Sequence, residues 1–205
     1  MKNRRFYVGF LYAFSKMGVL TKGENRVIIK IQTKERGEMM ALLIKNKLVS
    51  LSGSSYVLDE NGNKIFEIRG CFPSPTRKKH IYDMKGNLLY TVRNKYWHFF
   101  RKSAYILDGR RGDDEKVCRL KERFFIGWDF IDSRENLKME GKFLQGLHII
   151  KKGTTIGKFY RKHNAATFFV DTHDMYCLEV YNAQEAAFLV AVVIAYDNVC
   201  DARER

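Results

Sequence analysis

Apolar and polar residues alternate along most of this chain in short runs broken by turn-forming residues, the period-two pattern of half-buried strands. The clearest unit is Tyr56-Val-Leu-Asp59-Glu-Asn-Gly62-Asn-Lys-Ile-Phe-Glu-Ile68, where an apolar-rich run meets Asp-x-x-Gly-Asn and a second run follows. Ile81-Tyr-Asp83-Met-Lys-Gly86-Asn-Leu-Leu-Tyr-Thr-Val92 repeats it with the aspartate 24 residues later, and Tyr105-Ile-Leu-Asp108-Gly-Arg-Arg-Gly112 continues the series more loosely. Aspartate suits such a turn because its carboxylate accepts backbone N–H bonds, and glycine supplies the positive φ that closes a tight hairpin. Further strands are predicted at Lys116–Glu122, Phe124–Ser133, Leu137–Phe143, Gly146–Lys151, Thr154–Arg161, Ala166–Asp171 and Met175–Val180. Short strands at regular spacing predict an antiparallel sandwich or barrel rather than βαβ units.

The two ends of the chain break this pattern. Asn182-Ala-Gln-Glu185 reads as a capping box, with Asn182 and Glu185 satisfying the first helical N–H groups, and an unbroken apolar run from Ala186 to Tyr196 follows. A helix from Asn182 to Asn198 is roughly 25 Å long, short of a comfortable bilayer crossing. It has no polar face before Asp197, so protein or lipid must surround it, and a sheet of suitable size lies directly upstream. Ala187, Ala191 and Ala195 leave one side slim enough for close approach. Burial inside a barrel is the expected arrangement. At the other end, Arg4-Arg5 precede Phe6-Tyr-Val-Gly-Phe-Leu-Tyr-Ala-Phe14. The run lacks a small-x-small cleavage site and is interrupted at Ser15-Lys16, which argues against a signal peptide or a spanning helix. Phe6, Phe10, Phe14 and Met17 fall on one face of a short amphipathic helix that either packs on the domain or lies on a membrane surface. Val27–Ile31 reads as a strand or linker and Lys34–Glu38 as an exposed boundary. Residues 1–37 are therefore expected to form an N-terminal extension, and 38–205 one β-rich domain with a central helix near 183–198.

Composition supports an autonomously folding domain: 205 residues, 45% apolar, 29% charged and only two prolines. The net charge of +14 is unevenly placed: residues 1–102 hold 21 Lys and Arg against 7 Asp and Glu, whereas residues 103–205 hold 16 of each. A basic face would attract an anionic membrane or nucleic acid, although Lys-rich solvated strands give the same count. Cys71, Cys118, Cys177 and Cys200 stand far apart, so reduced structural thiols and a cytoplasmic location, with peripheral membrane association, are expected.

Catalytic signatures are missing. There is no G-x-G-x-x-G, P-loop, G-x-S-x-G or H-E-x-x-H, and His80, His98, His148, His163 and His173 are scattered. Asp59-x-Asn61-x-Asn63 mimics the start of a calcium loop, but the glycine is displaced and Gly70 stands where a bidentate glutamate is needed. No enzyme activity, cofactor or metal is expected.

Two stretches could form a binding surface. Arg93-Asn-Lys95-Tyr-Trp97-His-Phe-Phe100-Arg101-Lys102 brackets aromatics with cations, the combination that suits a bilayer interface, where rings sit at head-group level and cations meet phosphates. A strand burying alternate residues would account for half of those aromatics. Pro73-Ser-Pro-Thr-Arg77-Lys78-Lys79 presents three consecutive cations on a proline-held loop. Arg77, Lys78, Lys79, Arg93, Lys95, Trp97, Arg101 and Lys102 are the candidate anion-binding residues.

The repeated strand-Asp-x-x-Gly-x-strand hairpins followed by a terminal apolar helix resemble the LURP-one-related family of the tubby C-terminal-domain-like superfamily, to which phospholipid scramblases also belong. The likeness covers roughly residues 38–200 and is closest over Tyr56–Val92, with Ala186–Tyr196 matching the family helix. It implies a closed antiparallel β-barrel of about twelve strands around a central helix. Tubby-like domains bind phosphoinositide head groups and scramblases act on phospholipids, while the LURP-one-related branch has no settled activity. No tubby lipid contact matches this chain position by position. In the region of the scramblase calcium segment stand Asp171, Asp174 and Glu179, at a spacing that reads as turn and strand acids. The expectation is a monomeric, non-catalytic module that recognises anionic phospholipid or a membrane surface. The alternatives are a protein-interaction or structural domain without lipid ligand, or nucleic-acid binding, for which no module signature appears.

Overall fold

The structure, a computed structural model, describes residues 39–45, 54–96, 102–110, 115–123, 127–133, 135–142, 145–162 and 175–201. The expected N-terminal helix, the strand at 166–171, and Trp97, Arg101, Asp171 and Asp174 lie outside them.

Twelve strands form one antiparallel sheet: β1 Met40–Lys45, β2 Ser54–Asp59, β3 Lys64–Gly70, β4 Lys79–Asp83, β5 Leu88–Asn94, β6 Ser103–Asp108, β7 Glu115–Glu122, β8 Trp128–Ile131, β9 Leu137–Lys142, β10 Gly146–Lys151, β11 Thr154–Lys162 and β12 Met175–Val180. The sheet order is β8-β7-β6-β5-β4-β3-β2-β1-β12-β11-β10-β9. β1 pairs with both β2 and β12, joining the two meanders. β8 and β9 end the order and lie side by side, so the sheet curls into a nearly closed barrel. Of the strand expected over Phe124–Ser133, the described residues 127–133 form the four-residue β8, entered through Gly127 at φ +110°.

The aspartate hairpins are built as their chemistry predicts. Asp59 Oδ1 accepts the N–H groups of Asn61 and Asn63 at 2.9 and 2.8 Å, and Oδ2 accepts the Asn63 side-chain amide at 2.9 Å. Asp83 repeats the arrangement with Lys85 and Asn87. Gly62 and Gly86 close these turns at φ +82° and +86°, a region L side chains rarely adopt.

A 3₁₀ turn, Ala183–Glu185, leads into helix α1, Ala186–Asp201, which fills the barrel. Leu189 through Ala195 are fully buried. Ala183–Cys200 is long and apolar enough to cross a membrane by length and composition, but 72% of that stretch is buried inside the protein, which accounts for its lack of a polar face. Helix and wall approach closely at Gly157 of β11, where a Cβ would stand 2.7 Å from Leu189 Cδ1 and 2.8 Å from the Glu179 carbonyl. The capping box forms only in part. Asn182 Oδ1 accepts the Gln184 N–H at 3.1 Å, but the Glu185 carboxylate turns away to Lys151 Nζ at 2.6 Å, because an ammonium is a stronger partner than a backbone amide.

Candidate functional site

Strands alternate in direction, so α1 enters the barrel at one mouth and ends at the other. The entry mouth gathers the turns after β2, β4, β6, β8 and β10, and the exit mouth those after β1, β3, β5, β7, β9 and β11. Among the described residues, connections at the exit mouth carry five Lys and Arg and no acid, whereas those at the entry mouth carry three of each sign.

At the exit mouth the structure brings together the two candidate stretches that the sequence holds apart. The Asn94 N–H donates to the Thr76 carbonyl at 2.7 Å, tying the end of β5 to the 71–78 turn, and Cys71 N–H donates to Lys78 O at 3.0 Å. Ser74 shapes that turn: its carbonyl accepts Arg77 N–H at 3.1 Å and its Oγ accepts Lys78 N–H at 2.9 Å. Arg77 is held at φ +49°, an uncommon conformation for a non-glycine residue. The helix end holds it there, for the Asn198 side-chain amide donates to the Arg77 carbonyl at 3.1 Å and the Asn94 amide donates to the Asn198 carbonyl at 3.3 Å. This last bond also satisfies one of the carbonyls a helix C-terminus leaves open.

Of the eight candidate residues, Arg77 and Lys78 are part-exposed in the turn, Lys95 is exposed just past β5, and Lys102 is part-exposed just before β6. Arg93 is exposed on the outer wall, its guanidinium 5.8 Å from the Tyr105 ring centroid. Lys79 corrects the sequence reading. It is 8% exposed, shares the inward face of β4 with Ile81, and its Nζ lies 3.6 Å from Asp197 Oδ2. Strand alternation turns it into the barrel, where a buried carboxylate meets it. Tyr176 OH donates to the other Asp197 oxygen at 3.4 Å. Two aromatic residues outside those eight complete the mouth: Phe72, 63% exposed, which the sequence reading did not weigh, and Tyr96, 64% exposed, one of the aromatics of the Arg93–Lys102 stretch. The signal for Phe72 was its place beside Pro73 in a turn that cannot bury it.

The entry mouth has the opposite character. A cleft of about 220 Å³ lies beside the helix start, with Tyr90, Val117, Leu137 and Phe188 among its lining. Two of its three cations pair with acids of the same lining. Lys151 Nζ stands 2.6 Å from both Glu135 and Glu185, and Arg110 forms a two-bonded pair with Asp108 while facing the Tyr90 ring.

Elsewhere ionisable groups serve packing. Burial pushes the Cys118 thiol up to about 12 and raises the phenols of Tyr176 and Tyr196, which stay neutral. Tyr196 packs edge-on against Trp128 and Phe159, with ring centroids at 5.0 and 5.2 Å. Among the described residues no group of three His, Cys, Asp or Glu could hold a metal ion.

A nearly closed antiparallel barrel filled by one apolar helix, with a polar lock at the helix end, defines a class of helix-centred β-barrel domains. Within it, this chain belongs to the LURP-one-related family, whose model matches residues 40–197. It is similar to Protein LURP-one-related 15 of Arabidopsis thaliana, 23% identical over 172 residues that span 77% of this chain and 79% of the relative. A crystal structure of an Arabidopsis thaliana protein shares the fold at 18% identity, covering 82% of this chain and 92% of that one with a TM-score of 0.52. Family and fold together suggest a non-enzymatic domain.

Proposed function

We propose that the protein is a monomeric, cytoplasmic binding module that docks its exit mouth on anionic phospholipid at a membrane surface. One observation carries the reading: Phe72 and Tyr96, both more than 60% exposed, stand at the same mouth as Arg77, Lys78 and Lys95. Exposed rings that enter the head-group layer beside cations that meet phosphate are the two halves of an interfacial site. The excess of cations in the exit connections points the same way.

The test is co-sedimentation of the full chain with neutral, phosphatidylserine and phosphoinositide vesicles, with and without calcium, at near-physiological salt. Pelleting with acidic vesicles alone is expected. Reversing Arg77, Lys78 and Lys95 to Glu weakens it about a hundredfold or more, at roughly 1 kcal/mol per basic residue near the surface. Reversing Lys85 and Lys152 at the entry mouth leaves it nearly unchanged. Equal indifference to acidic and neutral vesicles overturns the reading, and displacement from acidic vesicles by duplex DNA at equal charge moves it to nucleic acid.

A further inference from the structure

The turn that presents Arg77 and Lys78 holds a feature that the docking surface does not use. Ser74 lies between two exposed prolines, Pro73 and Pro75, and Arg77 follows three positions after it. Proline has no N–H, so it fits an enzyme recess at the next position that offers no acceptor, and a cation three positions on fits an acidic recess. Ser-Pro-x-Arg displays both features on one loop. The Ser74 hydroxyl is part-buried rather than sealed, and the contacts that hold it are local to the turn: Lys78 N–H donates to Ser74 Oγ, Ser74 Oγ lies 3.3 Å from Thr76 Oγ1, and Arg77 N–H donates to Ser74 O, so a local opening of the turn frees it.

We infer that Ser74 is a phosphoacceptor for a proline-directed protein kinase, and that its phosphorylation turns off the anion-binding mouth; the second half rests on the membrane reading above. Ser74 Oγ attacks the γ-phosphorus of a nucleoside triphosphate carried by the kinase. The Oγ–P bond forms, the bond to the leaving nucleoside diphosphate breaks, and the hydroxyl proton passes to the kinase's carboxylate base. The product adds about −1.5 to −2 charges on an atom 2.9 Å from the Lys78 amide nitrogen, which offsets the two positive charges that Arg77 and Lys78 bring to the mouth. Phosphate oxygens replace the hydroxyl as acceptor for Lys78 N–H, so the turn persists while its positive field is cancelled.

The full-length protein is treated with a proline-directed kinase and adenosine triphosphate, and the phosphate is located by intact and fragment mass. One phosphate on Ser74 is expected, lost in Ser74→Ala and in Pro75→Ala and retained in Thr76→Ala. The phosphorylated protein then binds phosphatidylserine vesicles about tenfold or more weakly. Ser74→Glu shifts binding in the same direction. An unmodified Ser74 in the folded chain, under conditions that fully phosphorylate a peptide of residues 70–80, overturns the site. A phosphorylated protein that binds as well as the unmodified one overturns the switch. If the unmodified chain ignores acidic vesicles, the membrane reading and the switch fall together, while the mass measurement still decides the site.

Discussion

The two mouths of this barrel are made by the same chain reversals yet present opposite surfaces. At the entry mouth every charge in the cleft wall that the structure pairs is paired locally, Lys151 with Glu135 and Glu185 and Arg110 with Asp108. At the exit mouth Lys79 meets Asp197 inside the barrel and Arg123 meets Asp129 at the surface, while Arg77, Lys78 and Lys95 stand together on the rim. Charge matched within a surface leaves little field for a partner, whereas cations grouped at one rim create a field reaching about a Debye length, roughly 8 Å in physiological salt. The helix links the mouths because its start carries Glu185 and its end carries Asp197 and Asn198.

The harshest way to break the contrast is to remove that link. Val190 is fully buried at mid-helix, so Val190→Asp places a carboxylate in the core at a cost of several kcal/mol, comparable to the whole stability of a domain. Both mouths are expected to be lost together, seen as loss of the cooperative thermal transition. An unchanged transition would show that the helix is not the core.

Next in size is the split between neighbouring lysines. Lys79→Ala strips the ammonium from a buried Asp197 and is expected to cost on the order of 3 kcal/mol in denaturant unfolding. Lys78→Ala, one residue away on the surface, should stay within about 0.5 kcal/mol of wild type and weaken vesicle binding instead. Equal effects of the two on stability would erase the distinction between lock and surface. Lys151→Ala at the entry mouth is smaller still. It leaves Glu135 and Glu185 without their shared cation at part-exposed positions, for a loss of about 1 kcal/mol with vesicle binding unchanged.

These neighbours also mark how far the sequence could be read. The Asp59 and Asp83 hairpins were legible because each is a closed local device, with donors, acceptor and glycine within five residues. Helix burial was legible because a run apolar on every side leaves no other solution near a sheet. Lys79 was not: in Arg77-Lys78-Lys79 three cations look alike, and only the strand start at Lys79 and a carboxylate on the last helix turn single one out. Asp197 and Asn198 read as the polar tail of the helix, yet each is 1% exposed because the 71–78 turn and Asn94 close over them. The same long-range closure joined two basic stretches into one mouth. Glu185 was misassigned to a capping box for a related reason, since Lys151 reaches it only when β10 is in place.

The smallest expected effect concerns acid. Asp59 and Asp83 are part-exposed, but their carboxyls sit below the ordinary value of 3.8, chiefly because the Asn63 and Asn87 side chains donate to them. A carboxylate whose pKa is depressed by folding contributes stability that is complete above its unfolded value and disappears as pH falls through the lower folded value. Denaturant midpoints should therefore hold steady from neutral pH down to about pH 5 and decline below pH 4. In Asn63→Ala with Asn87→Ala the decline should shrink, because the carboxyls then titrate nearer their unfolded value. Both aspartates belong to entry-mouth turns, so vesicle binding of this double variant at neutral pH should match the wild type; a loss there would mean that the anionic surface is read at both mouths.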